Sequence, residues 1–409
     1  MLNAIWAGFL LVALATALVQ ATLLGHGEVF AALMKSMFDS SRLAFEVALG
    51  LTGVMSLWLG LMRIGEAGGV LTLLTRFLSP LLTRLMPEVP AGHPAQGAVV
   101  MNLAANVLGL DNAATPLGLK AMRELQALNP RPETASNAQI LFLVLNASSV
   151  TVFPITIFTY RAQMGAADPT DVFIPILIAT WCSTLVGLLA VAAVQRIRLW
   201  DAVVLLYLGG ATALVAGMAA YFASLPAAEM QRQSAIATNA ILLGLIAVFL
   251  LGALRRRLPV YEIFIEGAKE GFHIAVGIIP FLVAMLVAIG MLRASGALEL
   301  VLDGIRGLVT GAGLDARFVD GLPTALVKPL SGSGARAMMV ETMRTFGPDS
   351  FAGRLVAVIQ GSTETTFYVL AVYFGAVGIR RARHAVGCAL LADLAGVVAA
   401  IGVSYLFFG

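Results

Sequence analysis

LFLVLNASSVTVFP, residues 141–154, and LVAVIQGSTETTFY, residues 355–368, are two apolar runs that each carry a short polar group at the centre. They align without a gap, and the identical pairs are Leu141/Leu355, Val144/Val358, Ser148/Ser362, Thr151/Thr365 and Phe153/Phe367. Each run lies in a stretch long enough to cross a bilayer as a helix. Helices interrupted by polar residues, once in each half of a chain, are typical of membrane proteins built from internal repeats.

The composition indicates that the rest of the chain also belongs in a membrane. Of the 409 residues, 59% are hydrophobic and 12% are charged, whereas about a quarter of the residues are charged in soluble proteins. The apolar runs are long and show no alternation, which excludes a β-barrel and predicts an all-α polytopic membrane protein in contact with the lipid bilayer. The net charge of +3 is too small to indicate nucleic-acid binding. Two cysteines, Cys182 and Cys388, predict neither a disulfide framework nor a metal site, and no cofactor is expected.

We count about nine transmembrane helices. Seven stretches are clear, namely 3–24, 43–62, 172–194, 202–222, 234–254, 272–292 and 384–408, and the interrupted runs at 137–160 and 355–377 add two. The densest basic loops are at 196–198, 255–257 and 380–383, and positive loops favour the cytoplasmic side. This predicts a bacterial inner (cytoplasmic) membrane protein with a cytoplasmic N-terminus, and it places Lys35 and Arg42 in an outer loop.

Matching segments keep their order in the two halves, which predicts an internal repeat. The first repeat would span residues 1–198 with an extra N-terminal helix, and the second would span residues 258–409. Residues 199–257 would form two linking transmembrane helices hinged at Ser224-Leu225-Pro226. The predicted topology gives the two interrupted runs opposite directions, so the repeats would be inverted, as in many secondary transporters.

Each repeat also contains a segment that predicts a re-entrant hairpin, at residues 97–122 and 321–340. The first tip carries Asp111, Asn112 and Thr115, and the second is Ser331-Gly332-Ser333-Gly334 between Lys328 and Arg336. Backbone N–H groups at a helix start beside two cations favour an anion or an acceptor-rich polar ligand. The alternative is a tight helix–helix contact through small residues.

The interrupted runs supply the other candidate substrate-binding residues. These are Asn146, Ser148 and Ser149 in the first run, and Gln360, Ser362, Thr363 and Glu364 in the second. Amides and hydroxyls both donate and accept hydrogen bonds, which suits a neutral solute such as a nucleoside. Glu364 is the leading candidate to bind a ligand or a coupling ion, because a carboxylate deep in a bilayer is costly. The alternative is a structural ion pair with Lys328 or Arg354.

Two further carboxylates are candidate ion sites, and enzyme chemistry is not expected. Asp393 lies centrally in the last apolar run, and Asp111 could coordinate a cation or simply cap the hairpin. Lys328 near Ser331 lacks the elbow and the orienting group of a hydrolase, and no nucleotide-binding or metalloprotease motif is present. Energy would come from an ion gradient, with Na+ or H+ as the coupling ion, or from the gradient of the solute itself.

These motifs resemble a known family. GLDNAATPLGLKAM with LFLVLNASSVTVFP resembles spore maturation protein A, and KPLSGSGARAMMVE with QGSTETTFYVLAVYFG resembles spore maturation protein B, as a fusion over nearly the whole chain. Both families are similar to the nucleoside-recognition or Gate domain of ferrous iron transporter B and are related to concentrative nucleoside transporters. The resemblance implies ligand-binding roles for Gln360, Thr363 and Glu364. Asp111 stands where the A-type pattern has a glycine.

Two functional hypotheses follow. The first is an integral membrane transporter or channel for a small polar solute, with a nucleoside-like substrate favoured. The second is a non-transporting scaffold or regulator that acts with partner proteins. A transporter should hold a cavity lined by both hairpin tips, whereas a scaffold should be packed shut there. Assembly as a homo-oligomer is open under both.

Overall fold

The structure is a computed structural model that describes residues 2–409 except 91, 110, 149, 150 and 152; at residues 2–5, 111–113 and 227–228 it describes the backbone alone. Across this described part the chain is helical and contains no strand. The helices of the first half are α1 (Leu2–Leu23), α2 (Val29–Gly68), α3 (Val70–Leu85), α4 (Pro94–Val107), α5 (Asp111–Ala127), α6 (Asn137–Ser148), α7 (Ile155–Gln163) and α8 (Phe173–Gln195).

A linking segment and a second half follow. The linking segment contains α9 (Ala202–Val204), a π-helical turn (Leu205–Gly209), α10 (Gly210–Ala223) and α11 (Ala227–Arg255). The second half contains α12 (Val260–Gly277), α13 (Ile279–Ala294), α14 (Ala297–Gly311), a 3-10 turn (Arg317–Gly321), α15 (Leu322–Val327), α16 (Gly332–Phe346), α17 (Phe351–Ser362), α18 (Thr366–Gly375) and α19 (Ala385–Phe408). The break between α10 and α11 falls at residues 224–226, where the hinge was predicted.

The predicted all-α polytopic architecture is confirmed. Eight helical segments of the described chain are long and apolar enough to cross a membrane, and the run at 137–160 adds a crossing made of two short helices, α6 and α7. One boundary was wrong. Lys35 and Arg42 lie inside α2, which has 40 residues, and not in a loop. Arg42 and Glu46, four residues apart, pair at 2.7 Å on its exposed surface, as charged residues on a solvated helix face do.

The order of elements repeats between the halves. In each half a long helix is followed by an amphipathic helix, a helical hairpin, a broken helix and a final long helix. We call α4 with α5 the first hairpin and α15 with α16 the second hairpin. We call α6 with α7 the first broken helix and α17 with α18 the second, and their breaks are residues 149–154 and 363–365. The long helices pack in matching pairs, α2 against α12 and α13, and α8 against α19.

The two broken helices cross antiparallel. The N-terminal piece of each packs on the C-terminal piece of the other, α6 on α18 and α17 on α7. At one end Arg161 lies 3.1 Å from Asp349, and at the other end the Arg380 amide donates to the Glu133 carbonyl at 2.9 Å. The halves are therefore inverted with respect to each other.

Contacts at the helix ends show which charged loops lie on the same face of the bundle. The Gln195 side chain, at the end of α8, donates to the Asn137 carbonyl at 3.0 Å, and Arg383 donates to the Asn137 side chain at 3.0 Å. The basic loops at 196–198 and 380–383 therefore share one face of the bundle. Asp171 lies before the start of α8, at the opposite face, as the topology predicts.

Candidate functional site

A cavity of about 940 Å³ lies where both hairpins and both broken helices meet. This volume is at the upper end of the range of small-molecule sites. Its polar lining comes from the two hairpins and the two broken helices: Asn106, Thr115, Asn146, Thr151, Thr156, Tyr160, Lys328, Ser331, Ser333, Arg336, Gln360, Thr363, Glu364, Thr365, Tyr368 and Tyr373. Apolar side chains from the start of α13, Phe281 and Leu282 among them, close the remaining wall.

The first hairpin turns at Leu108 and Gly109, slightly before the predicted tip. Gly109 adopts a left-handed φ of 70°, and a Cβ there would lie 2.5 Å from the Phe153 carbonyl oxygen, so the turn packs directly on the first break. The predicted tip residues Asp111 and Asn112 begin α5, and their side chains lie outside the described residues. Thr115 lines the cavity from the first turns of α5.

Asn146, predicted to bind substrate, is held by protein groups. Its carbonyl accepts from the Asn106 amide at 2.8 Å and from the Tyr373 hydroxyl at 3.4 Å. Its own amide donates to the Phe142 carbonyl, four residues earlier, at 2.8 Å. Asn146 therefore ties the first hairpin to both broken helices while one edge lines the cavity.

The second hairpin contacts the second break in the same way. Ser331 caps α16, since its Oγ accepts from the Gly334 amide at 3.0 Å and lies 3.3 Å from the Ser333 Oγ. A Cβ on Gly332 would lie 2.7 Å from the Thr365 Oγ1. Each hairpin thus approaches a break through a glycine, and the Ser331 hydroxyl serves as a helix cap.

The second break and the helix end before it carry buried polar groups. Thr363 is extended (φ −147°), which ends α17 and turns its backbone away from helical bonding. Gln360, in the last turn of α17, is 7% exposed, and its Oε1 has no hydrogen-bond partner in the described part of the chain. Thr363 is 3% exposed, and its hydroxyl lies beside the Asp393 carboxyl. Buried polar atoms such as Gln360 Oε1 normally have partners.

Glu364 lies at the centre of this site. Its amide donates to the Ala147 carbonyl at 2.8 Å, which joins the second break to the end of α6. Its side chain is partly exposed and lines the cavity. Within the described residues its carboxylate forms no hydrogen bond or ion pair. The alternative pairing with Arg354 is wrong, because Arg354 bonds to Asp171 at 2.7 Å at the opposite end of α17.

Asp393 lies behind the cavity and does not line it. It is 4% exposed, and its Oδ2 accepts from the Thr366 hydroxyl at 2.7 Å. Lys328, which lines the cavity and is 3% exposed, interacts with it electrostatically. No group of three His, Cys, Asp or Glu residues is placed to hold a metal ion among the residues described.

The structure brings most of the predicted residues together. Those that line the cavity are Thr115, Asn146, Ser331, Ser333, Gln360, Thr363 and Glu364. Ser148 and Ser362 are fully buried, and each bonds a carbonyl of its own helix, so the structure places neither at the cavity surface. Ser149 lies outside the described residues.

Sequence reasoning missed Asn106, Tyr160 and Tyr373. A signal existed for Asn106, because Asn102 and Asn106 are four residues apart in an apolar helix and share one face. Asn102 uses that face to donate to the Ala114 carbonyl at 2.8 Å, which joins the arms of the first hairpin. The tyrosines lie in apolar helices where nothing in the sequence distinguishes them from packing residues.

Comparison with known proteins agrees with this geometry. A family model described as Gate, nucleoside recognition, matches residues 48–164 and 275–380, one match in each half. The chain is 50% identical over 165 residues to spore maturation protein B of Bacillus subtilis (strain 168), which covers 40% of this chain and 91% of that protein. It is 37% identical over 183 residues to spore maturation protein A of the same organism, covering 45% of this chain and 90% of that protein. No solved structure matches significantly.

Proposed function

Since this chain belongs to the Gate nucleoside-recognition family together with spore maturation proteins A and B, we propose that it is a transporter or channel for a small polar solute, with nucleoside-like solutes the first candidates. The observation that carries the proposal is the cavity of about 940 Å³ lined by both hairpins and both breaks. A scaffold that needed its polar groups only to join helices would be packed shut at this point. No catalytic step is part of the proposal.

The acceptors near the second break support an occupied cavity. The Glu364 carboxylate is partly exposed, lines the cavity and can accept hydrogen bonds from a solute that carries N–H or O–H groups, as nucleosides do. Gln360 also lines the cavity, and its buried Oε1 accepts hydrogen bonds only. Leaving a buried acceptor without a partner costs about 1–3 kcal/mol.

The hairpins suit a gating role. Gly109 and Gly332 let backbone approach backbone or a threonine hydroxyl without an intervening side chain. Contacts of this kind can separate without extracting a buried apolar group. In inverted repeats, movement of one half against the other opens the site to alternate sides of the membrane. Glu364 and Asp393 are the candidate sites for a coupling H+ or Na+.

The basic loops at 196–198 and 380–383, on one face of the bundle, favour that face as cytoplasmic. On this basis we place the protein in the bacterial cytoplasmic membrane with a cytoplasmic N-terminus. Labelling of single cysteines introduced at residues 198 and 168, in intact cells, tests the two faces. A cysteine at residue 168 should react with an impermeant maleimide, and one at residue 198 should not.

Flux through proteoliposomes tests the function. Wild-type protein should raise the uptake of labelled nucleoside above that of empty liposomes, and Glu364→Gln should reduce the rate at least tenfold. Glu28→Gln is the matched control, because Glu28 is exposed before α2 and its side chain caps nothing. Both variants should retain the wild-type melting temperature. Wild-type uptake no faster than that of empty liposomes, across nucleosides, bases and organic acids, would favour the scaffold.

A further inference from the structure

The second hairpin brings positive charge to the cavity. Lys328 precedes the turn, Arg336 follows it, and both line the cavity. Between them α16 begins at Gly332 and continues for 15 residues. The first N–H groups of a helix have no acceptor inside the helix, and the helix dipole adds positive potential there. Arg336 and the start of α16 therefore both add positive potential at this hairpin.

Arg336 is the informative member of this set. Its side chain is half-buried and lines the cavity, yet in the described part of the chain it forms no hydrogen bond or ion pair. A guanidinium carries five N–H donors and stays charged in proteins. Arginines at membrane depth are rare and are normally paired. The remaining partner is whatever occupies the cavity.

The other charges do not neutralise Arg336. Lys328 already interacts with groups of the protein, Asp393 among them. Glu364 is the acidic residue among the described cavity-lining residues, and it lies in the second break, shortly after Gln360 at the end of α17. The second hairpin, which packs against this break, therefore presents cationic donors to the same site in which Glu364 presents acceptors.

We propose that the solute is a small organic anion, with one carboxylate or phosphate group that binds Arg336, Ser333 and the first amides of α16. Its other end carries N–H or O–H donors that reach the Glu364 carboxylate. This assignment rests on the proposed function and narrows its substrate class from neutral nucleosides to their anionic relatives. Nucleoside monophosphates and carboxylated nucleobases have both features.

Binding to the full chain in phosphatidylcholine nanodiscs tests the assignment. The probes are uridine, uridine 5′-monophosphate, the pyrimidine carboxylate orotate and inorganic phosphate, titrated by calorimetry. At least one organic anion should bind roughly tenfold or more tightly than uridine, as loss of a charge-assisted hydrogen bond predicts. Arg336→Gln should remove that advantage, and Arg336→Lys should restore part of it. Arg76→Gln, the same change on the exposed face of α3, should have no effect.

Three results would overturn the assignment. One is equal binding of uridine and every anion, and another is anion binding that Arg336→Gln and Arg336→Lys leave unchanged. The third is Arg336-dependent binding only of phosphatidylglycerol added to the nanodiscs, which would make a lipid headgroup the occupant. Arg336-dependent anion binding without flux in proteoliposomes would instead refute the transporter proposal and leave the anion site standing.

Discussion

Replacement of Arg161 by methionine should destabilise the folded protein more than any exposed charge change. The Arg161 side chain is fully buried at the end of α7, where it joins the first broken helix to the start of the second. Its Nη1 donates to the Pro348 carbonyl at 2.7 Å. Its Nη2 lies 2.9 Å from Asp171 and 3.1 Å from Asp349. Methionine keeps the apolar stem and removes every one of these bonds.

The magnitude follows from what is left behind. Removing one partner of a buried ion pair costs about 3–5 kcal/mol, because the other charge stays buried without compensation. Here Arg354 still contacts Asp171 at 2.7 Å, and Asp349 is 35% exposed, so both carboxylates keep some stabilisation. We therefore expect a loss near the lower end, about 3 kcal/mol.

Equilibrium unfolding in detergent micelles measures this loss. The control is Arg232→Met, since Arg232 is 68% exposed and pairs with Glu229 one turn away, where such pairs contribute less than about 0.5 kcal/mol. The Arg161→Met variant should also show weaker association of the two halves when they are expressed as separate chains. A loss below about 1 kcal/mol, equal to that of the control, would refute the reasoning that this cluster joins the halves.

Two further predictions concern the first hairpin and the basic face. Gly109→Ala should lower the free energy of unfolding by more than about 1 kcal/mol and reduce solute flux, because a Cβ is strained at φ 70° and would lie 2.5 Å from a backbone carbonyl oxygen. Gly97→Ala, in open space on α4, is the control and should be neutral or stabilising in thermal unfolding. Burial and a neighbouring arginine lower the pKa of His384, whose ring accepts from the Gln195 amide at 3.1 Å when neutral. The unfolded chain therefore takes up this proton first, and stability should fall as the pH drops below about 6.5. His384→Asn should flatten that part of the stability–pH curve, and an unchanged curve would exclude His384 as the cause.

Much of the fold could be predicted from the sequence because lipid restricts the options. Apolar runs of sufficient length can only be helices, and the polar groups within 141–154 and 355–368 can only lie where protein or a cavity receives them. The ungapped match of those two runs therefore predicted both breaks, and the topology read from the basic loops predicted their opposed directions. The length of α2 was missed because Lys35 and Asp39 resemble loop residues, although they lie on a polar surface of a continuous helix.

The sequence predicted which types of residue line the site, but it predicted less well which groups those residues bond to. Sequence identified Glu364 and Gln360 as polar residues at depth, yet Arg354 and Asp171 are 183 positions apart and only the fold shows that they pair. Asn146 is likewise the same kind of residue as Gln360, but the structure gives its carbonyl two protein donors and leaves Gln360 Oε1 without one. Which of two similar amides is available to a solute depends on packing that composition does not encode.

The number of membrane crossings in the linking segment decides whether the two halves point in the same or in opposite directions. From the start of α2 to the start of α12 the chain makes five crossings: α2, the first broken helix, α8, α10 and α11. Because the number of crossings is odd, α12 runs antiparallel to α2. A re-entrant hairpin returns to the membrane face from which it entered and adds no crossing. Deleting α10 and α11 together would preserve the opposed directions. Deleting either one alone would point both halves the same way, and α6 could no longer lie against α18. A single chain that keeps the two halves opposed must therefore join them through an even number of linking membrane helices.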